Sequence, residues 1–270
     1  MKCLYINRES AVDRRRNLEA SFAAAAPHGV ELVRVAAVEA DDVAASAGAL
    51  KPAERACWMS HLAALRWPGT EAEDVLIVED DTRFSPAAFA VAPGMLAALP
   101  ACDVLFTEVM PTNLALIAGL ARQWHQRKRE GNFVVHSLAR TGFIGASAYV
   151  IRRAAKAKVL NALESAGLQD KPYDMALVEL ARTERIDARV CFPFLTAPSA
   201  DADASQIQPD HVDLRQATLH AFRRLMFVDR DLAACRAEIG RLQARHGDEG
   251  AALAGGIFAA LMSRDFPDSW

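Results

Sequence analysis

The chain has 270 residues, of which 52% are hydrophobic, and its formal net charge is −3. This length allows one large or two small domains with a sizeable core. The absence of a basic excess argues against a nucleic-acid-binding protein, because phosphates would not be neutralised. No apolar run approaches the ~20 residues of a membrane span, and the first residues look like a strand rather than a signal peptide. We therefore expect a cytoplasmic protein.

Strands and helices are predicted to alternate along the chain. We predict strands at residues 3–6, 30–38, 74–78, 102–109, 133–138, 146–152 and 186–194. The first predicted helix contains the arginine run at residues 14–16 and ends at residues 23–26. Further helices are predicted at residues 53–67, 86–99, 154–166 and 173–183. Residues 41–51 are small and polar, which is typical of a loop. This alternation favours an α/β fold with a mostly parallel sheet.

From about residue 210 the pattern changes, and residues 214–245 are predicted to be helical throughout. One face is apolar, and arginines lie near it at positions 215, 223 and 224. Such a helix would pack on the domain, or it would form a basic amphipathic surface. The second possibility leaves open a peripheral contact with the inner membrane and a homodimer.

The five cysteines are odd in number and widely spaced, with no Cys-x-x-Cys pair. We expect buried, reduced thiols in a reducing compartment, rather than a disulfide framework or a zinc site.

The most informative segment is the apolar run at residues 75–78, which leads directly into Glu79, Asp80 and Asp81. The run is typical of a buried parallel strand, and ligands of open α/β sheets bind at the carboxyl ends of such strands. Adjacent carboxylates raise one another's pKa unless a cation or donors lie among them. Oxygen ligands in this arrangement suit Mg²⁺ or Mn²⁺ shared with a substrate phosphate. A solvated acidic turn is the alternative.

Two families share this acidic strand. It resembles the first strand of response-regulator receiver domains, and residues 103–111 resemble their phosphoacceptor strand. Glu108 would then occupy the acceptor position and Arg152 the position of the usual lysine. Three features depart from the receiver pattern. Glutamate is longer than the usual aspartate, and the gap between the acidic pair and the acceptor position is too short. The pattern also leaves roughly the first 70 residues without a role. This alternative is a degenerate, non-phosphorylated signalling module.

The second resemblance covers more of the chain. Residues 56–61 (Ala-Cys-Trp-Met-Ser-His), followed by Glu79-Asp80-Asp81, resemble glycosyltransferase family 25. This is the lipooligosaccharide galactosyltransferase group, which is also related to collagen galactosyltransferases. The family pattern is an amino-terminal Ile-Asn-Leu-Asp with nearby arginines, then Cys-x-x-Ser-His, then Glu-Asp-Asp at the end of an apolar strand.

Further segments follow in the family's order. They are residues 5–8 with the arginines at 14 and 15, then 34–39, 145–151, 172–174 and the Ser-x-Ile at 205–207. The resemblance thus spans about residues 3–207. The chain departs from the pattern at Arg8 for leucine, Ala56 for glycine and Gln206 for an acidic residue.

The resemblance implies a GT-A-type, Rossmann-like nucleotide-sugar-binding domain at residues 1–209, with a helical extension at residues 210–270. It implies an inverting, metal-dependent hexosyltransferase that uses Mn²⁺ or Mg²⁺. The expected donor is a UDP-sugar, with galactose as the expected sugar, and the acceptor is a lipooligosaccharide or another surface glycan. A catalytically dead relative that binds a UDP-sugar is a further alternative.

The donor-site residues are assigned as follows. Extended residues two apart point the same way, so Glu79 and Asp81 are expected to share a face and Asp80 to point oppositely. Asp81 is the first candidate metal ligand, with Glu79 or Asp80 at a second coordination position or on the donor ribose. Asn7 and Arg14 follow the first strand, where a base and ribose commonly bind; Arg14 could equally be a surface charge.

Ser60 and His61 lie in the middle of a predicted helix. The resemblance places His61 beside the donor, in contact with phosphate, although a helix histidine is commonly a core residue. Ser60 could line the same site, or it could bond back to a carbonyl one turn earlier.

Inversion needs a carboxylate that takes the proton of the acceptor hydroxyl. Asp174 is the candidate base because it opens a helix beyond the last strands, and simple helix capping is its alternative. Glu108 is the rival base. Gly145 could let the backbone approach the donor, or it could serve a turn.

Overall fold

The computed structural model describes residues 1–44, 48–130, 132–165, 167–203 and 214–246. Its strands are β1 (Lys2–Asn7), β2 (Glu31–Ala36), β3 (Val75–Glu79), β4 (Thr82–Phe84), β5 (Val104–Pro111), β6 (Val134–Ser137), β7 (Phe143–Ile151), β8 (Ala188–Phe192) and β9 (Thr196–Pro198). Its α-helices are α1 (Val12–Ala24), α2 (Pro52–Leu65), α3 (Pro86–Ala98), α4 (Leu114–Glu130), α5 (Lys156–Ser165), α6 (Tyr173–Arg182), α7 (Leu214–Leu225) and α8 (Leu232–His246).

Seven strands form one central sheet in the order β2-β1-β3-β7-β5-β8-β6. The pairings give β2, β1, β3, β5 and β8 a common direction, whereas β7 and β6 run the opposite way. The prediction of an α/β fold with a mostly parallel sheet is therefore confirmed, and the arrangement is compatible with a Rossmann-like fold. Strands β4 and β9 form a separate antiparallel pair.

Both faces of the sheet are buried, which explains the continuous apolar runs of the strands. In β3, Val75 and Ile77 join the hydrophobic cluster on one face, and Leu76 and Val78 join the cluster on the other. Helices α2, α5 and α6 contribute to the first cluster, and α1 and α3 contribute to the second. Burial of each large apolar side chain stabilises the fold by about 1.5–3 kcal/mol.

The direction of β7 decides which residues meet at the site. Strands β1, β3 and β5 end at one edge of the sheet. Because β7 is antiparallel to β3 and β5, the first residues of β7 reach the same edge. This edge therefore combines polar strand ends from four adjacent strands.

The prediction of one helix over residues 214–245 is wrong, since α7 and α8 are separate. Between them, Phe194 N donates to Met226 O at 3.1 Å and Val228 N donates to Phe194 O at 2.9 Å. The chain leaves the helix because these backbone groups pair with the segment that follows β8. Phe222 and Leu225 of α7 are buried in the main core.

Three elements were absent from the prediction, namely α4, β4 and β9. The predicted boundary between residues 209 and 210, the Ser-x-Ile at 205–207 and the end of the helical extension lie outside the described residues. Within the described residues, no helix combines the length and apolar character needed to span a bilayer.

Candidate functional site

A cavity of about 570 Å³ opens at this edge of the sheet. Its volume is within the range of small-molecule binding sites. Most of the predicted donor, metal and base residues contribute to its wall: Arg14, Ser60, His61, Glu79, Asp80, Asp81, Gly145 and Asp174. Asn7 lies directly behind the wall, and Glu108 is not part of it.

Asp80 ties β1, β3 and α1 together. Asn7 Nδ2 donates to Asp80 Oδ2 at 2.8 Å, and Arg14 Nη1 donates to Asp80 Oδ1 at 2.8 Å. Arg14 Nη2 also donates to the carbonyl of Asp201 at 2.6 Å. The expectation that Asp80 points away from its neighbours is wrong, because β3 ends at Glu79 and the chain turns. Asp80 is thus 7% exposed and held by two donors.

Asp81 is less well compensated than Asp80. Arg14 Nη1 lies 3.5 Å from Asp81 Oδ2, and no other ion pair of Asp81 occurs among the described residues. Burial and the negative charge of Glu79 raise the pKa of Asp81 to about 7, although Arg14 opposes this shift. Hence the repulsion expected from the sequence is present. A divalent cation would relieve it, since Asp81 and Glu79 both offer oxygen atoms to the cavity.

Glu79 contacts a buried aromatic and imidazole network. His61 Nε2 lies 3.4 Å from Glu79 Oε1, and His61 Nδ1 lies 2.9 Å from the hydroxyl of Tyr149. Burial alone would raise the pKa of Glu79, but the hydrogen bond and charge of His61, with the charge of Arg223, hold it below its usual value. The ring of His61 stacks on Tyr173 at 4.3 Å, so its orientation is fixed.

Cys57 lies one helical turn before His61 on α2 and faces the same cavity. Its Sγ, a ring nitrogen of His61 and a carboxylate oxygen of Glu79 all lie within 4.8 Å of one another. Burial, followed by the negative charges of Glu79 and Asp174, raises the pKa of the Cys57 thiol well above its usual value. All five cysteines of the chain are free, and four of them are buried as predicted, whereas Cys57 is partly exposed.

Ser60 has both of its hydrogen-bonding partners within the chain. Its hydroxyl donates to Ala56 O at 2.7 Å and accepts from Val38 N at 2.9 Å. The bond back to a carbonyl one turn earlier is therefore confirmed. Ser60 connects α2 to the segment after β2, although it also lines the cavity.

Asp174 and Gly145 bond to each other across the cavity wall. Gly145 N donates to Asp174 Oδ2 at 3.0 Å. Asp174 lies in the first turn of α6, after the N-cap residue Pro172, so it does not occupy the capping position. Gly145 has a φ of +94°, a conformation that favours glycine. The positive φ points the Gly145 N–H toward the carboxylate, which leaves Asp174 oriented at the cavity.

Glu108 is not placed to act as a base, which corrects its assignment as the rival of Asp174. Its side chain is 1% exposed, and Arg223 Nε donates to Glu108 Oε2 at 2.6 Å. Arg223 Nη2 and the hydroxyl of Ser147 both donate to Glu108 Oε1. The carboxylate is therefore neutralised within the protein and separated from the cavity.

Two arginines of α7, Arg223 and Arg224, point into the fold. Arg223 is 7% exposed and lines the cavity from behind Ser147. Arg224 Nε donates to Pro198 O at 2.9 Å, and Arg224 also pairs with Glu238. These two residues are unavailable for a basic surface. The side chain of Arg215 lies outside the described part of the chain.

Four residues of the site were given no site role from the sequence: Cys57, Tyr149, Tyr173 and Arg223. The spacing of Cys57 and His61 places both on one helix face, which was the available signal for the first. Tyr149 lies on β7, within residues 145–151 of the family resemblance. Arg223 had no such signal, because its partner Glu108 lies 115 positions away.

The sequence matches no protein-family model. No curated protein shows significant similarity to it either.

Proposed function

We propose that the chain is a metal-dependent glycosyltransferase of the GT-A type that moves a sugar from a UDP-sugar to a glycan acceptor. The resemblance to glycosyltransferase family 25 suggests galactose as the sugar and a lipooligosaccharide or another surface glycan as the acceptor. The observation that carries the proposal is the pair Glu79 and Asp81 on the wall of a nucleotide-sized cavity, at the carboxyl end of a central strand.

The charges that line the cavity support the binding of a ligand together with a cation. Six carboxylates and three arginines line it. Arg8 Nε bonds Glu39 at 2.7 Å, and Arg223 is paired with Glu108. Arg14 is likewise paired with Asp80. A diphosphate would be repelled by this surface unless a divalent cation came with it.

Asp81 and Glu79 would hold the cation. When it is bound, Mn²⁺ or Mg²⁺ supplies Lewis-acid stabilisation of the diphosphate as the glycosidic bond breaks. Asp80 and Arg14 keep the end of β3 in place relative to α1. Asn7 acts behind them, since it is 1% exposed and bonds Asp80. We therefore assign Asn7 to positioning rather than to direct donor contact.

Asp174 is the proposed base. Its Oδ2 accepts from Gly145 N, and the residue lines the cavity, where an acceptor hydroxyl would bind. Tyr173 precedes it and stacks on His61, so the start of α6 is anchored to the donor side. This arrangement suits attack by an acceptor on a donor held at β3.

The test is donor hydrolysis by the purified full chain. We expect slow release of UDP from one member of a UDP-sugar panel in Mn²⁺, and its loss on chelation. Asp81→Asn should abolish it, whereas Asp42→Asn, which changes an exposed aspartate outside the cavity, should not. The absence of UDP release from every donor, with and without glycan acceptors, would contradict the proposal.

The two alternatives give different results in the same assay. A catalytically dead relative would bind UDP and Mn²⁺ without turnover. A receiver-like module would bind no nucleotide, and its acceptor position is occupied by Glu108, which is buried and paired with Arg223. The first 70 residues, which that alternative leaves without a role, build two strands of the central sheet. The structure thus favours the transferase over the receiver.

A further inference from the structure

We propose that Cys57, His61 and Glu79 form a binding site for a Zn²⁺-type cation, separate from the Asp81 position. The proposal does not depend on the transferase activity. It rests on three side chains of different chemistry whose ligand atoms converge within 4.8 Å on one wall of the cavity.

The position of the ligands follows from the helix and the sheet. Cys57 and His61 are separated by one turn of α2, so their side chains lie on the same face. Glu79 comes from the end of β3, which lies opposite that face. Two ligands from one rigid helix and one from a strand end are a common way to hold a metal at a fixed place.

The separation of His61 and Glu79 is that of two ligands around a small cation. His61 Nε2 and Glu79 Oε1 are 3.4 Å apart, which is long for a charge-assisted hydrogen bond. Zinc–nitrogen and zinc–oxygen bonds of about 2.0–2.1 Å in a tetrahedron separate the two ligand atoms by about 3.4 Å. The Cys57 sulfur lies within 4.8 Å of both atoms.

A second layer of contacts orients the histidine. His61 Nδ1 lies 2.9 Å from the Tyr149 hydroxyl, and that hydroxyl lies 2.9 Å from the hydroxyl of Tyr173. If Nδ1 carries the proton and donates to Tyr149, the lone pair of Nε2 points to Glu79. Metal-binding histidines are held in this way by a partner on the other ring nitrogen.

The ligand set selects the class of metal. A thiolate, an imidazole and a carboxylate favour Zn²⁺ or Co²⁺, whereas Mg²⁺ and Mn²⁺ favour oxygen atoms alone. All three residues line the cavity, so the fourth coordination position faces it and stays open. Glu79 would be shared with the proposed Mn²⁺ position, and occupation of one position would therefore alter the affinity of the other.

The experiment titrates the metal-free full chain with Co²⁺ as the probe, without nucleotide. We expect one equivalent to produce the near-ultraviolet charge-transfer absorption of a cobalt–thiolate bond, and Zn²⁺ to displace it. Cys57→Ser should remove the absorption, whereas the matched control Cys102→Ser, at a buried cysteine outside the cavity, should retain it. Tyr149→Phe should weaken Zn²⁺ binding about 10–100-fold.

Two results would overturn the proposal. One is the absence of thiolate absorption in the wild-type chain, a measurement that does not depend on the folding of any variant. The other is an absorption that persists in Cys57→Ser when circular dichroism shows a native fold. Both results are separate from the donor-hydrolysis assay, in which Asp81 rather than Cys57 is changed.

Discussion

Two carboxylate sites at the same edge of the sheet have opposite environments. Glu108, on β5, is buried and bonded by Arg223 and Ser147, so its charge is compensated within the protein. Glu79 and Asp81, at the end of β3, face the cavity, and Arg14 lies 3.5 Å from Asp81. The difference indicates that Glu108 serves the fold, and it supports the proposal that Glu79 and Asp81 hold a cation that comes from outside.

The largest effect is expected from a substitution of Asp81, on the cavity side. Asp81→Asn keeps the shape of the side chain and removes a ligand charge. We expect donor hydrolysis to fall at least ~10³-fold, because under the proposal a bound cation would supply several kcal/mol of stabilisation to the leaving diphosphate. The midpoint of urea unfolding should not decrease. An unchanged rate would refute the metal role of Asp81.

The next largest effect is expected from a substitution of the buried Glu108. Glu108→Gln leaves the buried Arg223 without its counter-charge, and we expect the free energy of unfolding to fall by about 3–5 kcal/mol. Urea denaturation measures this change. The control is Glu31→Gln, which removes an exposed pair with Lys2 and should cost less than about 1 kcal/mol. Equal effects of the two variants would show that the Glu108 pair does not stabilise the fold.

The environment of Asp81 can be tested by measuring the stability of the metal-free protein as a function of pH. Burial and Glu79 raise the pKa of Asp81 from 3.8 to about 7, so the folded state binds more protons than the unfolded state between these values. The free energy of unfolding should therefore decrease as the pH rises from about 4 to about 7. We expect the decrease between pH 5 and pH 8 to be about 3 kcal/mol smaller in Asp81→Asn.

That experiment uses urea unfolding in the presence of a chelator. The same pH dependence in the wild type and in Asp81→Asn would contradict the assigned environment of Asp81. Addition of Mn²⁺ at pH 8 should stabilise the wild-type protein and leave the variant unchanged, since a ligand of the native state raises its stability.

The smallest effect concerns a cavity residue whose partners are internal. Ser60 bonds Ala56 O and Val38 N, so it resembles Glu108 rather than Asp81 in its environment. Ser60→Ala should lower the free energy of unfolding by about 1 kcal/mol, the usual net value of such hydrogen bonds. A loss close to zero would indicate that the segment after β2 does not depend on this bond.

Periodicity and strand-end chemistry predicted much of the fold and the site. The apolar runs of β1 and β3 identified central strands, because both faces of the sheet are covered. Helix α2 was predicted at residues 53–67 and is found at Pro52–Leu65, with the proline in its first turn. The acidic segment at residues 79–81 was correctly placed at the edge of the sheet, since it follows a buried strand directly.

The remaining features depend on contacts that local pattern does not contain. Helix α4 was not predicted although its sequence is amphipathic, and its residues Leu120 and Trp124 are buried in the main core. The break between α7 and α8 follows from the pairing of Phe194 with residues after α7. Arg223 and Glu108 are 115 positions apart, so the neutralisation of Glu108 required the tertiary structure.

The most direct test of the central claim is the melting temperature of the wild-type chain with UDP, with Mn²⁺ and with both. We expect UDP to raise the melting temperature only when Mn²⁺ is present, because Glu79 and Asp81 would repel a diphosphate without a cation. Equal stabilisation by UDP in the presence of a chelator would contradict this expectation. An unchanged melting temperature with UDP and Mn²⁺ together would contradict it as well.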